Sequence, residues 1–81
     1  MNLYAEPMLG TVTDFDDPRG LGTITATDGT TYPFHCTQLV DGTRTIDVAT
    51  PVWFRVVAGH LGRFEATAVT RSAAADGNTP A

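Results

Sequence analysis

Apolar and polar residues alternate along the chain in short runs, and glycine-containing turns interrupt them every several residues. No window carries apolar residues at three-and-four spacing over three turns, so the pattern predicts strands and no helix. Gly10-Thr11-Val12-Thr13 opens a first strand, which Pro18-Arg19-Gly20 breaks. Gly20 to Thr27 reads as the second strand, Asp28-Gly29 as a two-residue hairpin turn, and Thr30 to His35 as the third. Gln38 to Val48 is too polar and too broken for a strand, so it reads as a long irregular connection with a turn at Asp41-Gly42. Pro51 to Ala58 is the fourth strand, Gly59-His60-Leu61-Gly62 its turn, and Arg63 to Thr70 the fifth. Residues 1–8 form an N-terminal extension, and the small, polar, proline-ended stretch 72–81 is expected as a disordered tail.

Alternation assigns the faces of these strands. Ile24 and Ala26 point inward and Leu21, Thr23 and Thr25 outward; Val52, Phe54 and Val56 point inward and Trp53, Arg55 and Val57 outward. Tyr32 and Phe34 share a face, with Phe34 in the core, while Pro33 lacks an N–H for a ladder and belongs at an edge or a bulge. Asp14 has the parity of inward Val12, but burying an unpaired carboxylate is too costly, so the strand must bend or bulge before it. Five short antiparallel strands of this kind predict a small closed barrel, because closure removes the exposed sheet edges.

At 81 residues, with 42% hydrophobic and 17% charged content, the chain is one all-β domain at most. Val52 to Ala58, its longest nearly apolar stretch, is interrupted by Arg55 and falls far short of the roughly 20 residues that span a bilayer, so no membrane role is expected. The first residues show no basic run followed by an apolar one, and Cys36 has no second cysteine to pair with; both point to the cytoplasm. All the basic residues are arginine, 5 against 9 acidic residues, for a net charge of -4. A general basic footprint for nucleic acid is therefore absent, and such a role would rest on local contacts.

Enzymatic chemistry has no foothold. There is no paired nucleophile and base, no metal-ligand spacing and no cofactor fingerprint, and His60 lies in a turn distant from His35. Cys36 reads as a small packing residue. Phe15 fits either a base-stacking residue or a cover over the barrel mouth, and His35 points outward beside the Arg19 loop. Arg19 and Arg44 each suit a phosphate or carboxylate contact, or simply a solvated loop position. Trp53 either packs against Leu3, Tyr4 or another strand, or anchors a protein interface.

Taken together, Gly10-Thr11-Val12-Thr13-Asp14-Phe15-Asp16, Arg19-Gly20-Leu21-Gly22-Thr23-Ile24, Asp28-Gly29, Tyr32-Pro33-Phe34-His35-Cys36, Asp41 to Ile46 and Val52-Trp53-Phe54 run in a familiar order. Over residues 9–71 the chain resembles the bacterial cold-shock domain. That resemblance implies an all-β, five-stranded antiparallel OB-type barrel that binds single-stranded RNA or DNA on the outward face of its first three strands. It also implies nucleic-acid-binding positions at Phe15, Arg19, Leu21, Thr23 and His35; Arg44, in the long connection, joins them as a candidate on its charge alone. The family's outward aromatics fall here at Asp14, Leu21, Thr23, Pro33 and Cys36, so those stacks are missing. Each stacked base is worth roughly 1–3 kcal/mol, against about 8 kcal/mol for a micromolar complex, so the expected binding is weak. The expectation from sequence is thus a small non-enzymatic binding protein that needs no cofactor or metal. Its partner is a single strand held weakly or, alternatively, a protein, with Trp53 at the interface.

Overall fold

The computed structural model of the chain describes residues 7–59 and 62–72. Five strands form one antiparallel sheet: β1 (Met8–Asp16), β2 (Leu21–Ala26), β3 (Thr31–His35), β4 (Pro51–Ala58) and β5 (Phe64–Arg71), in the spatial order β3-β2-β1-β4-β5. A single 3-10 turn, Cys36–Gln38, follows β3. No described helix is long and apolar enough to cross a membrane. The hairpin between β2 and β3 has a longer connection than the two residues expected. Ala26 N–H donates to Thr30 O (2.8 Å) and Gly29 N–H to Ala26 O (2.9 Å), so Gly29 closes a turn that begins at Ala26.

Edge strands β3 and β5 approach each other, and a parallel bridge joins Leu39 to Val69. The Thr67 hydroxyl also donates to the Gln38 side-chain oxygen, tying the 3-10 turn to β5. No ladder links β3 to β5 among the described residues, so the sheet is open along this seam, in contrast to the closed barrel expected. Strand β3 is short, 5 residues, and carries Pro33, which has no N–H to offer a further neighbour; its edge position is the one expected for it.

Two boundaries differ from expectation. Met8 and Leu9 belong to β1, because they pair with Phe54 and Trp53 of β4. Ser72 is buried and its N–H donates to Pro51 O (3.0 Å), so it completes the β4–β5 pairing and is not part of a free tail. The remainder of the expected tail, residues 73–81, lies outside the described residues, as do residues 1–6.

The core comprises Val12, Ile24, Ala26, Phe34, Val52, Phe54, Ala66 and Val69 from the strands, with Leu39 and Ile46 contributed by the β3–β4 connection. Burying each large side chain contributes roughly 1.5–3 kcal/mol, which explains why the otherwise irregular connection stays on the sheet. Alternation survives through two bulges. In β1 the register slips between Val12 and Asp14, leaving Thr13 as the extra residue and turning Asp14 outward, as the cost of burying its carboxylate required. In β5, Thr67 and Thr70 oppose Arg55 and Trp53, so this strand carries the extra residue there. Ala68 takes φ 52°, and the slip lets Ala66 and Val69, three apart, both face the core.

Candidate nucleic-acid interface

The registers of β1, β2 and β3 place residues in rungs across the outer face. Asp14, Thr23 and Pro33 share one rung, and Asp16, Leu21 and His35 another. Leu21 is 43% exposed and Thr23 partly so. Apart from His35, these rungs line an open depression of about 300 Å³ that also includes Arg19, Gly22 and Phe34. No aromatic ring other than the His35 imidazole stands on either rung, so the face offers a methyl-and-proline floor between two carboxylates.

Phe15 lies on the intervening rung, with Gly22 and Phe34. The bulge at Thr13 puts it on the core side, where its ring stacks on that of Phe34 at 6.0 Å and 23°. Gly22 makes this possible: a Cβ there would lie 2.6 Å from Phe34 Cε1 and 2.8 Å from Asp14 O. The Phe34 ring therefore crosses β2 over bare backbone. Phe15 is half-buried against the core.

A second cleft, about 390 Å³, opens where β1 turns into β2. Gly20 holds the turn, with its N–H donating to Asp16 O at 2.8 Å. Its φ of +68° and the proximity of Cys36 Sγ, 2.8 Å from where a Cβ would sit, leave no room for a side chain. In return Cys36 N–H donates to Gly20 O (2.7 Å), fixing the end of β3 against the turn. His35 caps the 3-10 turn: its Nδ1 accepts from Thr37 N–H at 3.2 Å. That bond assigns the neutral imidazole's proton to Nε2, which has no hydrogen-bond partner among the described residues. Arg19, His35, Cys36, Arg44 and Asp17 all line this cleft.

Arg44 reaches it because its loop is clamped. Arg71, at the end of β5, donates to Asp41 Oδ2, to Thr43 Oγ1 (3.4 Å) and to Thr45 O (3.0 Å). Thr43 donates its N–H (3.0 Å) and hydroxyl (2.7 Å) to Asp41 Oδ1. The Thr43 bonds first, and then the Arg71 charge, hold the Asp41 carboxyl below its ordinary value. Residues 41–45 are thereby fastened to β5, while Arg44 itself has no hydrogen bond or ion pair among the described residues. Among the described residues the Arg19 side chain has only a 3.9 Å contact with Asp16, both side chains well exposed, which contributes little.

The fold thus brings Arg19, His35 and Arg44 into one cleft and places Leu21 and Thr23 on the adjoining face. Trp53 is not part of this surface. It is 42% exposed and paired with Leu9 of β1 and Thr70 of β5; Leu3 and Tyr4, its expected cover, lie outside the described residues, as does His60. Alternation and turn signals do not single out Glu65, which lines a cleft with Leu21, Pro33, Phe34 and His35. Nor do they single out Phe64, 60% exposed at the start of β5, or the Arg71 clamp. An aromatic residue closely following a glycine turn was an available signal for Phe64. Nothing local marks the Asp41–Arg71 pair, which is 30 residues apart.

Chemically, the cleft offers an anionic oxygen two guanidiniums and an imidazole, with the Asp17 carboxylate also on its wall. Among the described residues no group of three or more His, Cys, Asp or Glu side chains is placed to hold a metal ion. No model of a protein family matches the chain, and a search of curated proteins finds no relative.

Proposed function

We propose that this protein is a small non-enzymatic, cytoplasmic binding module related to the bacterial cold-shock domain, which holds single-stranded RNA or DNA weakly through its backbone phosphates. In this reading the seam between β3 and β5 is closed by side chains and by the 3-10 turn, giving an OB-type barrel without a complete ladder. The observation that carries the reading is the convergence of Arg19, His35 and Arg44, from three separate segments, on one cleft beside the outer face of β1–β3. The same face lacks the family's stacking rings, so affinity comes from phosphate contacts and from packing on Leu21 and Pro33.

The test is fluorescence-anisotropy titration of short single-stranded RNA and DNA at several salt concentrations. Wild type is expected to bind in the tens of micromolar, about 6 kcal/mol. The double variant Arg19→Ala/Arg44→Ala is expected to bind more weakly and to flatten the salt slope by about 1.4, or about 0.7 for each phosphate left without its arginine. An unchanged salt slope in the double variant overturns the assignment.

A second reading has its own observation. Trp53, half exposed on β4 in register with Leu9, resembles the aromatic anchor of a protein interface. A specific protein retained by wild type and lost with Trp53→Ala, with no oligonucleotide bound by either, would transfer the function to that face.

A further inference from the structure

Charge is distributed along the binding surface in a way that phosphate contacts alone do not use. Arg19 and Arg44 stand at one end, around His35. Leu21, Pro33 and Phe34 form an apolar floor shared by two clefts. Glu65, brought by β5, lines one of these clefts together with His35. A phosphate would be repelled at that position, but a base edge rich in N–H donors would not.

The Glu65 side chain makes no hydrogen bond or ion pair among the described residues. Its side chain lies across Gly59 at the end of β4, where a Cβ would collide with its Cγ, Cδ and Oε2 atoms. The missing side chain at residue 59 therefore sets where the carboxylate sits.

We propose that Glu65 is a specificity-determining residue, its two carboxylate oxygens accepting N1–H and N2–H from a guanine laid over Leu21 and Pro33, with the adjoining phosphate toward Arg19 and Arg44. This rests on the single-strand reading above. Guanine is the base that fits, because its Watson–Crick edge offers two adjacent donors to a bidentate acceptor. Adenine and cytosine present one amino group beside a ring-nitrogen lone pair, and uracil presents one N–H between two carbonyls.

The experiment compares three labelled uridine-rich single strands: one with a central guanosine, one with inosine there, and one all uridine. Inosine keeps N1–H and lacks the amino group. Wild type is expected to prefer guanosine over inosine by about fivefold or more, the low end of what a good bidentate pair supplies. Glu65→Gln should abolish that preference while leaving the all-uridine affinity equal or tighter, since a negative charge is removed. Gly59→Ala keeps the charge but displaces the carboxylate, and it should lose the preference too; thermal melts establish that both variants are folded. If wild type binds all three strands equally, or either folded variant keeps the preference, or Asp14→Asn is the variant that removes it, the role of Glu65 is overturned and the single-strand reading stands. If none of the three strands binds, both fail together.

Discussion

Placing two aromatic rings on the outer face, with Leu21→Phe and Thr23→Phe, tests whether the absence of stacking rings or the acidic charge limits the proposed single-strand binding. Both positions are outward on β2, and Leu21 is already 43% exposed, so a phenyl ring can be accommodated without entering the core. Two new stacks nominally supply roughly 2–6 kcal/mol, at about 1–3 kcal/mol each. The competing effect is repulsion from Asp14 and Asp16, which share these rungs. A unit charge about 8 Å from a phosphate costs about 0.5 kcal/mol in water, and salt at physiological strength screens it further beyond about 8 Å. The carboxylates together therefore cost no more than a single stack contributes. Residues 9–71 carry five arginines against six aspartates and one glutamate, so net charge adds little to this repulsion. Anisotropy titration against a uridine-rich strand is expected to show at least about tenfold tighter binding for the Phe pair, the equivalent of about 1.4 kcal/mol. Asp14→Asn/Asp16→Asn should gain several-fold at most. A larger gain from the Asn pair, or submicromolar affinity in wild type, would refute the reasoning.

Three further outcomes concern the scaffold. Gly22→Ala is expected to destabilise by roughly 1–3 kcal/mol in chemical denaturation, because the new methyl meets both the Phe34 ring and the fixed carbonyl of Asp14; a neutral result would mean that the Phe15–Phe34 stack does not depend on this gap. Ala68→Gly should leave stability unchanged or raise it by up to about 1 kcal/mol, since a left-handed residue with a side chain costs roughly 1–2 kcal/mol and glycine's flexibility returns part of that; a loss as large as that of Ala66→Gly would contradict the positive φ. Asp41, with its carboxyl held low by Thr43 and Arg71, contributes stability that is present above the ordinary carboxylate value of 3.8 and is lost as pH falls through the lowered one. The gap in thermal midpoint between wild type and Asp41→Asn should accordingly be open at neutral pH and close in acid, and a gap constant from neutral pH down to pH ~2 would assign it to some other cause.

Local chemistry in the sequence was sufficient for the five strands and much of the core, though not for the length of the connection between β2 and β3. The alternation of Ile24 and Ala26, and of Val52 and Phe54, can be satisfied only by a half-buried sheet, and all four side chains are buried. The penalty for burying Asp14 demanded a break in β1, and the bulge lies at Thr13. Arg19 and His35 were legible as a pair because the turn carrying one lies beside the strand that ends in the other. Tertiary structure decided the rest, since those features depend on contacts between segments with no local signature. Phe15 faces inward because the bulge resets the register and Gly22 leaves space for the Phe34 ring. Arg44 reaches the cleft because Arg71, far along the chain, fastens its loop to β5. Glu65 shares a cleft with His35 only because the two edge strands approach without forming a ladder, and the slip at Ala68 that keeps β5 in phase with the core follows from pairing with β4 and not from β5's own residues. Alternation is a property of one strand, whereas register and the approach of edges are properties of pairs of strands, which a single-strand pattern does not encode.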